Sequence, residues 1–124
     1  MTSLASVFDL LPGTTVAVIG DVMLDHFLIG RVDRISPEAP VPVVRFLREE
    51  YRLGGAANVA ANVRALEGVP VLVGCVGADE AAVGLRRALR DRDIADDRLV
   101  IDETRPTTRK VRVVTTRNQQ VVRL

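Results

Sequence analysis

The sequence predicts an α/β fold built on a mostly parallel sheet, and three observations carry that expectation. Two apolar, β-branched runs, "TTVAVIGDV" at residues 14–22 and "VPVLVGCVG" at 69–77, read as buried strands. Two stretches of helical period follow them in alternation. The order from Thr14 through Val100 is then strand, excursion, helix, strand, helix, strand, which implies right-handed crossovers between parallel strands.

The first strand is set off by Pro12 and Gly13 and ends in a Gly-Asp turn at Gly20 and Asp21. "HFLIGRV" (residues 26–32) and "VPVVRFL" (41–47) are strand-like and flank "DRISPEAP", whose prolines and serine mark a loop; these two strands need not join the central sheet. From Gly55 to Glu67 the period becomes helical, with Ala56, Val59, Ala60, Val63 and Leu66 on one face, until Gly68 and Pro70 stop it. The second strand follows. "ADEAAVGLRRALRDRD" is the clearer helix, with Asp79 as N-cap and Leu85, Ala88 and Leu89 facing inward, slightly weakened by Gly84. "RLVID" is a third short strand. "TTRKVRVVTTRNQQVVRL" alternates, with turn residues at Arg117 and Asn118, and predicts a β-hairpin outside the parallel core.

Composition narrows the function. A chain of 124 residues, 48% hydrophobic and 27% charged, is globular and amounts to one small domain or a piece of one. Aromatic residues are 3% with no Trp, which argues against stacking platforms for single-stranded nucleic acid, and a net charge of +1 gives no pull toward nucleic acid or membrane. The one cysteine, Cys75, reads as a reduced, buried structural thiol and suits the cytoplasm. "MTSLASVFDLLPG" has no basic residue before its short apolar stretch, so no signal peptide is expected. No apolar run approaches the roughly 20 residues that cross a bilayer. Charge is uneven, however: residues 104–124 carry Arg105, Arg109, Lys110, Arg112, Arg117 and Arg123 and no acidic residue. That segment is either a solvated strand surface or a site for an anion such as a sugar phosphate.

In open α/β sheets ligands bind beyond the carboxyl ends of the strands. Asp21 and Asp25 follow the first strand there, and Gly54 and Gly55 precede the first helix, with Asn58 one turn into it. Carboxylates accept hydrogen bonds from hydroxyls, glycines admit a ligand close to the backbone, and an amide side chain both donates and accepts. The set suits a polyhydroxylated ligand, that is, a sugar. The plainer alternatives are a tight strand-to-helix turn for the glycines, and a cap or surface carboxylate for each aspartate. Neither G-x-G-x-x-G nor G-x-x-x-x-G-K-[ST] occurs, and one His with one Cys makes no metal cluster. His26 reads as a packing or hydrogen-bonding residue.

"GDVMLD", "ISPEAPVPVV", "GGAANVAANV", "VGCVGADE" and "NQQVVRL", in this order and spacing, resemble the N-terminal part of the ribokinase/PfkB carbohydrate kinases, and within them the heptose 7-phosphate kinases that supply ADP-heptose for lipopolysaccharide. The glycine-rich stretch is shared widely in that family; "ISPEAPVPVV" and "RNQQ" are narrower. One departure is Glu67, where the family usually has Gly or Ser, which implies a local change at the helix end.

The resemblance implies a ribokinase-like three-layer α/β/α fold with a small β lid made of segments 26–47 and 106–124. It implies ATP with Mg2+ as cofactors and a phosphorylated sugar as substrate. Asp25, Gly54, Gly55, Asn58 and Asp21 would hold the sugar, and Lys110 or Arg112 its phosphate. The lid would pair with a second copy to form a homodimer, without nucleic acid or membrane as partner. The family's G-A-G-D motif, with its catalytic Asp and anion hole, is absent from these residues, so the 124-residue chain alone is expected to be inactive. A stand-alone sugar-phosphate-binding or oligomerisation module is the alternative.

Overall fold

Burial, rather than propensity, decides where this chain forms its core. The computed structural model describes residues 3–124, so Met1 and Thr2, on which the reading of the N-terminus partly rests, lie outside it. The chain divides into two units, one running to Leu24 and resuming from Leu53 to Thr108, the other formed by Asp25–Arg52 and Arg109–Leu124.

The first unit contains α1 (Leu4–Phe8), β1 (Thr15–Ile19), α2 (Ala56–Ala65), β4 (Val69–Val76), α3 (Glu80–Arg90) and β5 (Leu99–Ile101). Its sheet is parallel in the order β1-β4-β5, with Thr15 opposite Val69 and Gly74 opposite Leu99. The core draws Val18, Val22, Leu24, Leu72, Val76, Leu85, Leu89, Ile94 and Leu99 together. β2 (Val22–Ile35) and β3 (Pro42–Gly55) supply residues to both units, and with β6 (Arg109–Thr115) and β7 (Gln120–Arg123) they form a second sheet in the order β3-β2-β6-β7. The parallel order and the hairpin are as the sequence predicts. β2 and β3 are much longer than their apolar cores suggested, because cross-strand pairing carries them through polar residues that have no strand signal of their own.

Three expectations need correction. β1 is an edge strand, and of its residues only Val18 is buried, with Ile19 left 78% exposed. α2 buries Ala57 and Ala60 and packs Ala56 and Val63 against the core, but leaves Val59 and Leu66 about half exposed, so the predicted face holds at Ala56, Ala60 and Val63 and fails at the other two positions. Small residues explain this: an alanine-rich helix packs on whichever alanines allow closest approach, which hydrophobic period alone does not reveal. Cys75 is only partly buried, since its strand alternates and the side chain is not among those that fill the core. No described helix is long and apolar enough to cross a membrane.

α3 forms as predicted. Asp79 Oδ1 accepts the Ala82 N–H at 2.9 Å and caps the helix, while Oδ2 accepts the Thr107 N–H at 2.8 Å. Thr107 is buried, and its hydroxyl accepts the Gly77 N–H at 2.9 Å, so one carboxylate ties the helix start to the segment that leads into β6. Asp79→Ala therefore removes a cap, worth about 1 kcal/mol, and strands a backbone donor, worth about 1–3 kcal/mol. Chemical denaturation should show a loss of about 2–4 kcal/mol, with Asp79→Asn losing less; equal stability of wild type and Asp79→Ala would refute this pinning role.

At the other end of α2, Glu67 takes φ +64°, with its N–H donated to Arg64 O and the Gly68 N–H to Val63 O, both at 3.0 Å. The helix closes through a left-handed residue, the kind of position that favours glycine.

Candidate functional site

Each unit contributes a group of the residues singled out in the sequence. In the first unit the chain leaves β1 at Ile19, and the Gly20 N–H is held by Val73 O at 3.2 Å. Asp21 is exposed, and its backbone carbonyl accepts the Ala56 N–H, the first amide of α2, at 2.8 Å. Gly55, the N-cap, adopts φ +57°, where a side chain is strained. A Cβ there would collide with the Asp21 carbonyl and lie 2.9 Å from Met23 Cγ. Close backbone packing is therefore sufficient reason for glycine at 55.

Around this junction is an open groove of ≈550 Å³ lined by Gly20, Asp21, Met23, Gly55, Ala56 and Val59, among others. The structure thus brings Asp21 and Gly55 together on one surface. Gly54 is buried and Asn58 exposed, and neither lines the groove.

In the second unit Asp25 sits on β2 and Lys110 and Arg112 on the neighbouring strand β6. Side chains two apart on a strand share a face, and here both reach one carboxylate oxygen. Arg112 Nη1 lies 3.1 Å and Lys110 Nζ 3.7 Å from Asp25 Oδ1. All three side chains are mostly buried, at 18–27% exposure, so these contacts are shielded from solvent more than a surface pair. Even so, Oδ1 is buried with no hydrogen bond of good geometry from any described residue. Its two cationic partners hold it by charge rather than by a well-aligned hydrogen bond.

Arg112 is fixed a second time by Phe27, whose ring centroid lies 5.2 Å from its guanidinium carbon. Arg52, from β3 on the other side of β2, lies 4.7 Å from the same ring. Cations near an aromatic face gain about 0.5–2 kcal/mol each, more as they are desolvated. Glu50 accepts from Arg52 at 3.1 Å and Arg48 at 3.2 Å, and these hydrogen bonds hold its carboxyl below the usual carboxylate range.

His26 is buried. It stacks on Tyr51 with centroids 4.4 Å apart, and its Nε2 is 2.8 Å from Glu49 Oε2, the packing and hydrogen-bonding role expected of it. Its Nδ1 is buried without a hydrogen-bond partner among the described residues.

Phe27, Arg52, Glu50, Glu49 and Tyr51 were not singled out from sequence. The signal that could have found them is period two: 25 and 27 share a face of β2, as 50 and 52 share a face of β3. Among the described residues no group of three or more His, Cys, Asp or Glu side chains could hold a metal ion.

Comparison with known proteins agrees with the family signal in the motifs. Residues 14–123 match the pfkB family carbohydrate kinases. A D-beta-D-heptose 7-phosphate kinase of Bordetella bronchiseptica is 55% identical over 109 residues, covering 88% of this chain and 34% of that protein. A bifunctional protein HldE of a Caulobacter species is 50% identical over 109 residues, covering 88% of this chain and 22% of that protein. This chain therefore spans about a third or less of these curated relatives. Among solved structures, a ribokinase from Cryptococcus neoformans in complex with ADP superposes with a TM-score of 0.61 at 22% identity, over 90% of this chain and 34% of that one. At that identity the likeness is one of fold, and the fold is ribokinase-like.

Proposed function

Because the chain belongs to the pfkB family of carbohydrate kinases, we propose that it is the sugar-binding portion of an ATP-dependent kinase that phosphorylates a heptose 7-phosphate at its anomeric hydroxyl. The observation that carries this reading is Asp25. Its side chain is 18% exposed and faces two cations, and a carboxylate accepts hydrogen bonds from sugar hydroxyls. A hydrogen bond from a neutral hydroxyl to a carboxylate is charge-assisted and short, which favours a sugar over an apolar ligand.

Asp25, Asp21, Gly54, Gly55 and Asn58 are proposed to bind and orient the sugar. Lys110 and Arg112 hold Asp25 in place, and lend positive charge toward the phosphate of the substrate. In the reaction the sugar oxygen bonds to the γ-phosphorus of ATP, the bond from that phosphorus to ADP breaks, and the hydroxyl proton passes to a base. Neither that base nor the groups that bind ATP and Mg2+ are assigned to any of these 124 residues. The chain's own part is positioning. The product would enter ADP-heptose and lipopolysaccharide synthesis, in the cytoplasm where ATP is available. Exposed Ile35, Phe46, Leu47 and Tyr51 on the second unit support a homodimer formed through it.

The test is product formation. The full-length kinase carrying these residues, given ATP, Mg2+ and heptose 7-phosphate, should yield ADP and a bisphosphate whose new phosphorus signal couples to the anomeric proton. A new phosphate on any other carbon, or turnover of ATP without a sugar product, would overturn the assignment of reaction. The isolated 124 residues should give no sugar-dependent ADP.

A further inference from the structure

Arg123 lies in "NQQVVRL", a segment that the proposed sugar site leaves without a role. Arg123 pairs with Arg112 across β6 and β7. Next to that pair, Val111 and Leu124 exchange both of their backbone bonds, at 3.0 and 2.8 Å. Arg112 and Arg123 therefore occupy a non-hydrogen-bonded pair, where facing side chains are closest and point to the same side of the sheet. Like charges directly opposite in this position are destabilising.

Arg112 cannot relieve the repulsion by swinging away, because Asp25 and Phe27 both hold it. Arg123 is exposed and makes no ion pair among the described residues. Lys110, Arg112 and Arg123 bring three positive charges to Asp25's one negative charge, and so leave two uncompensated. A phosphate monoester carries about −1.5 to −2 at neutral pH and presents three acceptor oxygens. Two guanidinium groups on one face, one fixed and one free, match that anion in charge and in planar donor geometry.

We propose that Arg112 and Arg123 form a cross-strand arginine pair that grips the phosphate of the phosphorylated sugar, with Arg123 the residue that sets the preference for a phosphorylated over an unphosphorylated substrate. The inference rests on the sugar-kinase reading above and goes further in naming the residue that reads the phosphate. Arg112 is pre-set by Asp25, so a sugar hydroxyl on Asp25 and a phosphate on the arginine pair would be registered by one carboxylate-arginine contact.

The experiment measures KM and kcat of the full-length kinase for heptose 7-phosphate and for unphosphorylated heptose, in wild type, Arg123→Met and Arg123→Lys. Losing one charged hydrogen-bond partner should raise KM for the phosphorylated sugar at least about tenfold in Arg123→Met. KM for unphosphorylated heptose and kcat should stay unchanged, and Arg123→Lys should restore most of the affinity. An unchanged KM for the phosphorylated sugar, or equal losses for both sugars, would overturn the arginine pair while leaving the kinase reading intact. A wild-type enzyme that uses neither sugar would overturn both. Unaltered use of the unphosphorylated sugar by Arg123→Met also serves as the check that the variant folds.

Discussion

Gly55→Ala should destabilise the chain by about 2–6 kcal/mol, of which the positive-φ backbone (φ +57°, ψ −134°) contributes about 1–3 kcal/mol and the crowded methyl a further 1–3 kcal/mol. The crowding is specific. The new Cβ would meet the Asp21 carbonyl, which is itself held by the Ala56 N–H at 2.8 Å, so neither partner can move without opening the start of α2. Met23 stands behind it at 2.9 Å, and as a flexible side chain it can give way where the carbonyl cannot. Gly84→Ala is the matched control: it lies inside α3, its Cβ would approach only Leu24 Cδ2 at 3.5 Å, and the change should be neutral or stabilise by up to about 1 kcal/mol. Chemical denaturation of the two variants against wild type checks both. Equal midpoints for Gly55→Ala and Gly84→Ala would show that the loop around Asp21 adapts, and would remove the packing reason for Gly55.

That result bears on how far the sequence reveals the site. The pair of glycines, the helix behind them and the acidic residue ahead of them were visible as a pattern, and the pattern placed a functional surface there. Which glycine matters, and why, was not visible. Gly54 proves buried, and the need for Gly55 comes from a carbonyl that belongs to a different part of the chain. Only the folded contact shows it.

The helices tell the same story with opposite outcomes. α3 was legible because its cap, its leucines and its charged outer face all agree. α2 was legible in extent and only partly in facing: Ala56, Ala60 and Val63 meet the core as read, but with alanine at many positions hydrophobic period does not choose between Ala57 and Val59, and the fold buries the smaller one. In β6, spacing alone put Lys110 and Arg112 on one face. That their shared partner is Asp25 depends on β2 lying beside β6, a pairing of residues far apart in the chain that no local signal encodes. The lone His26 was legible as a packing residue, but Glu49 and Tyr51 as its neighbours were not, because β3 runs well past the apolar run that announced it.

The largest functional effect should come from Asp25→Asn. This change keeps the shape of the side chain and removes the charge that Arg112 and Lys110 face at 3.1 and 3.7 Å. It also turns one acceptor oxygen into an NH2 donor, so a sugar hydroxyl that donated to the carboxylate loses its partner or meets another donor. The loss of a hydrogen bond to a charged group is worth about 1.5–3 kcal/mol, or roughly 10- to 150-fold in the sugar's KM or kcat/KM. ATP should be spared, since its binding is assigned to none of these residues. The decisive measurement is the kinetics of the full-length Asp25→Asn kinase with each substrate varied in turn: a fall of about tenfold or more in kcat/KM for the sugar, with KM for ATP unchanged, is the result expected. Wild-type sugar kinetics, or a loss falling equally on ATP, would contradict the claim that this chain is the sugar-binding portion of the kinase.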